Sequence, residues 1–146
     1  MNLKGASPMK AVTWQGKQKM EIRNVDDPKI LEPTDAIIRI TATAICGSDL
    51  HLYHHGEAVL EKGYVVGHEP MGIVEEVGSQ VQTLKKGQRV VIPFNISCGH
   101  CHFCLNHMES QCDESNPDQL YGGLFGFGKL NGNHWGGQAE YLRVPY

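Results

Sequence analysis

Four cysteines fall within one short segment, S-C-G-H-C-H-F-C-L-N-H-M-E-S-Q-C, at Cys98, Cys101, Cys104 and Cys112. Zinc in structural sites takes four ligands in a tetrahedron, and four cysteines are among its commonest sets. Gly99 and the small polar residues between the thiols let the chain wrap an ion. The spacing therefore predicts a metal-holding lobe, against the plainer alternative of four independent thiols. His100, His102 and His107 offer substitute ligands but are read as solvated, since four sulfurs already close such a site.

Small cysteine-rich zinc lobes often grip nucleic acid, and charge argues against that here. No lysine or arginine lies between Arg89 and Lys129, and a surface that neutralises phosphates needs cations. The net charge of −3 points to neither nucleic acid nor an anionic membrane, and no apolar run approaches the roughly 20 residues of a membrane span. A fifth cysteine, Cys46, stands alone. An odd cysteine count behind an N-terminus without a secretory signal argues for a reducing, cytoplasmic setting and for metal or catalytic thiols. Residues 1–8, M-N-L-K-G-A-S-P, are read as an extension or as residues added for expression, and 9–146 as one domain.

Strand patterns dominate the first half, and 17 glycines favour a turn-rich β fold. A strand is expected from Met9. In D-A-I-I-R-I-T-A-T-A-I-C the alternate residues Ile38, Ile40, Ala42, Ala44 and Cys46 share an apolar face, so Cys46 is expected at a strand end with its sulfur inward. Ser48 is read as the N-cap of a short helix, D-L-H-L-Y-H-H. A strand region follows in Y-V-V-G-H-E-P-M-G-I-V-E-E-V, then two strands around Lys85-Lys86-Gly87 in L-K-K-G-Q-R-V-V-I. The cysteine-rich segment and the glycine-rich Y-G-G-L-F-G-F-G-K-L-N-G-N-H-W-G-G read as loops, and Q-A-E-Y-L-R-V as a last strand.

Cys46 is either a small buried hydrophobe or a metal ligand. Its candidate partners lie in G-H-E-P-M-G: His68, whose plainer reading is a polar loop residue, and Glu69, whose plainer reading is a buried carboxylate bonded to backbone. A catalytic zinc takes three protein ligands and keeps one position open, and two cysteines with one histidine are a documented set.

Taken in order, C-G-S-D-L-H, G-H-E-P-M-G-I-V-E-E-V-G, the four-cysteine lobe and G-G-Q-A-E-Y resemble the zinc-dependent alcohol dehydrogenases of the medium-chain family. In look the chain is closest to bacterial alcohol or formaldehyde dehydrogenase-like members. The resemblance covers Met9 to Tyr146. It implies a mainly β, GroES-like barrel with short helices and a zinc-binding lobe. It further implies that Cys98, Cys101, Cys104 and Cys112 hold a structural zinc. On the same resemblance Cys46 and His68 would hold a catalytic zinc with Glu69 as alternate ligand, and Asp49 would orient His68 through a hydrogen bond. Ser48 would bond the oxygen of a small alcohol or aldehyde substrate and pass its proton towards His51, again as the resemblance implies. Cys46 is then a thiolate at a helix start, where the dipole favours an anion.

Two parts of the family pattern are absent from the chain. No G-x-G-x-x-G follows a strand; G-L-F-G-F-G-K-L has the wrong spacing. NAD or NADP is therefore expected to be bound by a missing Rossmann domain, the resemblance puts the usual third catalytic ligand beyond the last residue here, and the chain alone is expected to be inactive. The full-length enzyme is expected to be a homo-oligomer. The rival reading is a stand-alone zinc-binding structural or interaction module; Ser48 and His51 speak against it, because such a module needs no proton relay. A zinc-free quinone-reductase-like relative conflicts with both metal motifs. Tyr53, His54 and His55 are read as exposed loop residues and His134-Trp135 as packing residues, each with a cleft-lining alternative.

Overall fold

The computed structural model describes residues 8–117 and 121–146. The reading of residues 1–8 as an extension therefore falls, apart from Pro8, outside the described residues. Met9–Gly16 (β1) and Lys19–Val25 (β2) form an antiparallel hairpin. Four further strands, Ala36–Thr43 (β3), Pro70–Val77 (β4), Arg89–Val91 (β5) and Tyr141–Val144 (β6), make an antiparallel sheet in the order β5-β4-β3-β6. Helices are short: Gly47–His55 (α1) and His102–Leu105 (α2). The class is mainly β, as the sequence pattern implies. Among the described residues the strands form two sheets stitched by bridges, Ala11 to Ala139 and Thr13 to Val65, and do not close into one continuous barrel.

The core divides accordingly. Ala36, Ile38, Val74, Ile92, Ile96, Phe125 and Leu142 fill the space under the larger sheet. Trp14, Leu52, Leu60, Tyr64 and Val66 pack beneath α1, and each such side chain contributes about 1.5–3 kcal/mol when fully buried. β1 joins the two regions, with Val12 N–H donating to Gln138 O at 2.8 Å and Trp14 N–H to Tyr64 O at 2.9 Å.

Three expectations need correction, two for strands and one for a loop. β3 stops at Thr43, and its apolar face ends at Ile40; Ala42 and Ala44 are exposed. The cause is a register shift against β4 between Ile40 and Ala42, and a bulge of this kind re-aims the chain and ends pairing. Cys46 therefore lies past the strand, on the approach to α1. Only one strand forms in L-K-K-G-Q-R-V-V-I: β5 pairs with β4, Met71 opposite Val91, while Leu84 lies in the connecting loop. The cysteine segment is not all loop, since it contains α2 and a 3-10 turn over Glu109–Gln111.

Candidate metal centres

The lobe is built around its sulfurs. Cys101 caps α2, its Sγ accepting from the Cys104 N–H at 3.5 Å. Cys98 Sγ accepts from the N–H groups of His100 and Cys101 at 3.4 and 3.3 Å, and Cys112 Sγ from Cys98 N–H at 3.3 Å. Backbone donors aimed at sulfur favour the thiolate. The four donor atoms lie within 4.8 Å of one another, and the Cys98–Cys104 and Cys101–Cys112 sulfur pairs are each 3.9 Å apart. A tetrahedron with Zn–S of about 2.3 Å puts its sulfurs ~3.8 Å apart. The donor set fits zinc.

The four thiols are not electrostatically alike. Burial pushes the Cys104 thiol up to about 12 and raises Cys98. Burial also acts to raise Cys112, but the Cys98 N–H and the Ser115 donors outweigh it and bring it down to about 7. Four adjacent thiolates need a cation, and no lysine or arginine between Arg89 and Lys129 supplies one. His100, His102 and His107 are exposed. The lobe is tied inward by Ser115, whose hydroxyl donates to Cys112 O and accepts from Gly123 N–H at 2.7 Å.

The second cluster brings Cys46, His68 and Glu69 together, their donor atoms within 4.8 Å of one another. Cys46 Sγ and His68 Nε2 are 3.1 Å apart, a little closer than the ~3.5 Å of sulfur and nitrogen on a tetrahedral zinc. This donor set also fits zinc. Cys46, half-buried, is the N-cap of α1: its Sγ accepts from Ser48 N–H at 3.4 Å, and its own N–H donates to Asp49 Oδ2 at 2.8 Å. The capping box is thus closed by Cys46 and Asp49, and the expectation that Ser48 caps the helix is corrected. Ser48 sits one residue inside α1, with His51 three residues on, along the same helix face. His51 is exposed.

Asp49 and His68 are both buried, and Asp49 Oδ1 lies 3.4 Å from His68 Nδ1. The two atoms face each other without hydrogen-bond geometry, and neither has another partner. Glu69 is exposed, which removes its reading as a buried carboxylate. His68 stands in a turn that glycine makes possible. Gly67 has φ of 100°, and a Cβ there would meet the Gln138 backbone nitrogen at 2.7 Å. A Cβ on Gly126 or Gly136 would meet the Gly67 carbonyl oxygen at 2.5 and 2.3 Å. The rings of Phe127 and Phe94 flank His68, with centroids at 4.8 and 6.5 Å. Sequence reasoning missed Phe94, Phe127 and Gln138; the signal was present only as glycines in the segment that carries Phe127.

The remaining candidates lie elsewhere. His54 and His55 are exposed on α1, not on a loop, with His54 Nδ1 held by Gln18 at 3.0 Å. His134 packs edge-on to Phe125 and bonds Ser115 O through Nε2 at 2.9 Å. Trp135 lines an open cavity of about 410 Å³ with Leu31, Lys29 and Arg143, none of which belongs to either cluster. Among the described residues no helix is long and apolar enough to cross a membrane.

Residues 32–146 match the family model for the alcohol dehydrogenase GroES-like domain. AdhB of Bacillus subtilis, a zinc-type alcohol dehydrogenase-like protein, is 59% identical over 94% of this chain and 36% of its own length. The glutathione-independent formaldehyde dehydrogenase of Pseudomonas aeruginosa is 40% identical over 94% of the chain and 35% of its own length. Among solved structures, the alcohol dehydrogenase TADH from Thermus sp. ATN1 is 42% identical with a TM-score of 0.85, over 94% of this chain and 37% of that one. The chain thus spans about a third of the length of the relatives it matches.

Proposed function

Because the chain belongs to the alcohol dehydrogenase GroES-like domain family, we propose that residues 9–146 are the catalytic domain of a zinc-dependent alcohol dehydrogenase. Its substrates are small alcohols and aldehydes, and its acceptor is NAD or NADP bound by a Rossmann domain of the full-length enzyme. Two zinc ions are assigned, a structural one to the four lobe cysteines and a catalytic one to Cys46 and His68, with Glu69 as alternate ligand. The enzyme is placed in the cytoplasm as a homo-oligomer, with no nucleic acid or membrane partner. The observation that carries this reading is the convergence of Cys46, His68 and Glu69 at the start of α1, where Ser48 and His51 follow.

Zinc held by Cys46 and His68 would supply Lewis acidity at the substrate oxygen, and NAD or NADP held by the Rossmann domain would supply a hydride acceptor. The chain's own residues do the rest. The Ser48 hydroxyl hydrogen-bonds the substrate oxygen and receives its proton. His51, exposed one turn later, delivers that proton to water. Asp49 fixes the helix start through the Cys46 N–H and sets its other oxygen against His68. Phe94 and Phe127 keep water from the His68 ring.

Alcohol-dependent reduction of NAD or NADP by the full-length enzyme tests this. Cys46→Ala and His68→Ala are expected to abolish it while the lobe keeps its zinc. Undiminished turnover in either variant would refute the assignment.

A further inference from the structure

The lobe's sulfurs differ in access. Cys112 is fully buried, Cys104 is 7% and Cys101 9% exposed, while Cys98 is half-buried at the lobe's edge. Cys98 is therefore where an oxidant in solvent first meets this cluster. Its sulfur already has a second sulfur in reach, Cys104 Sγ at 3.9 Å, and the remaining two, Cys101 and Cys112, form the other 3.9 Å pair. Cys46 has no cysteine near it; its neighbours are His68 and Glu69.

We propose that the lobe is an oxidative modification site for peroxides, in which Cys98 is attacked first and Cys104 resolves it to a disulfide, releasing the metal. The Cys98 thiolate attacks a peroxide oxygen, the O–O bond breaks, and one hydroxide leaves to be protonated to water. The sulfenic acid so formed is attacked by the Cys104 thiolate, the S–S bond forms, and the hydroxyl departs as a second water. Two thiolates are oxidised by two electrons, one peroxide is reduced, and two protons are taken from solvent. A second peroxide closes Cys101 to Cys112 in the same way. Loss of charge at Cys98 weakens the N–H bonds from His100 and Cys101 that shape the turn, and loss of charge at Cys101 uncaps α2. Cys46, lacking a resolving thiol, forms no disulfide, and its sulfenic acid is carried on to sulfinic acid by further peroxide.

The inference rests on the lobe holding zinc, and the two are read separately. Zinc content of the purified chain, measured before oxidant is added, tests the metal assignment by itself. Hydrogen peroxide is then added in steps, released zinc is followed with a chromogenic chelator, and disulfides are mapped by mass spectrometry after alkylation. The expected result is a Cys98–Cys104 disulfide at the first equivalent, with zinc release tracking its formation, and a Cys101–Cys112 disulfide later. Dithiothreitol with added zinc reverses both. The same map is expected in Cys46→Ser. A different first pairing, Cys98 driven to sulfinic acid without a disulfide, or zinc release that vanishes in Cys46→Ser would overturn the inference.

Discussion

Cys46 serves two tasks on one sulfur. It closes the capping box of α1 and faces His68 Nε2, so Ser48 is left without a capping role. That separates two readings of Ser48 that sequence leaves mixed, because serine at a helix start signals a cap as readily as a substrate contact. Ser48→Ala in the full-length enzyme is expected to lower turnover by about 1,000- to 10,000-fold, with zinc content and melting temperature close to wild type. His51→Gln is expected to cost only about 100-fold, recovering at alkaline pH as hydroxide replaces the relay. Rate, zinc and melting temperature measured on both variants decide it. A Ser48→Ala enzyme that melts early yet turns over normally would restore the capping role and remove the relay.

At the scale of elements, the His68 turn is set by backbone conformations that only glycine adopts cheaply. Gly67→Ala forces a Cβ into the left-handed region and into the Gln138 backbone. A loss of about 2–4 kcal/mol is expected, read as a lower urea midpoint. The pairing of β3 with β6 carries its own signature. Asp35, fully buried, accepts from Arg143 Nε at 2.6 Å and from the N–H groups of Leu31 and Glu32 at 2.8 Å. Burial acts to raise its carboxyl, but Arg143 and the two backbone donors prevail and hold it below the ordinary 3.8. For His134 it is burial itself that lowers the imidazole below 6.5, against the hydrogen bond to Ser115 O. In both cases the unfolded chain takes up its proton first, so the stability is present above the unfolded value and is lost as pH falls. Stability is expected to decline from about pH 6.5 downward, then more steeply below about pH 4. Denaturant titrations across pH check this: His134→Gln removes the first decline and Asp35→Asn the second.

Elements were legible where periodicity ran unbroken. β1, the core of β4 and the short helix after Cys46 follow from alternation and from a polar helix start. The early end of β3 does not, because a bulge opposite Met71 depends on the partner strand and leaves the alternating pattern intact. Nor does α2, four residues long and capped by a cysteine sulfur, which no propensity argument favours. Of the candidate sites, the ligand types were readable from their motifs. The rings of Phe94 and Phe127 were not, since they reach His68 from segments 26 and 59 residues further along the chain.

For the whole molecule, the glycine-rich segment read as a loop is what connects the two clusters. Ser115 leaves the lobe to meet Gly123, His134 bonds Ser115 O, and the Tyr64 hydroxyl donates to His134 O while accepting from Gly128 N–H at 3.0 Å. Tyr64 leads directly into the strand-like residues before His68, so the lobe braces the turn that presents a ligand. The central claim is that one chain carries two distinct metal centres, a closed one in the lobe and an open one at Cys46. Zinc per chain after dialysis into metal-free buffer, compared between wild type, Cys46→Ala and Cys101→Ala, tests it most directly. About one tightly held zinc is expected in wild type, since structural sites bind with roughly 10–16 kcal/mol; it should persist in Cys46→Ala and disappear in Cys101→Ala. No retained zinc in wild type, or a retained zinc that departs with Cys46 and survives the loss of Cys101, would contradict the account.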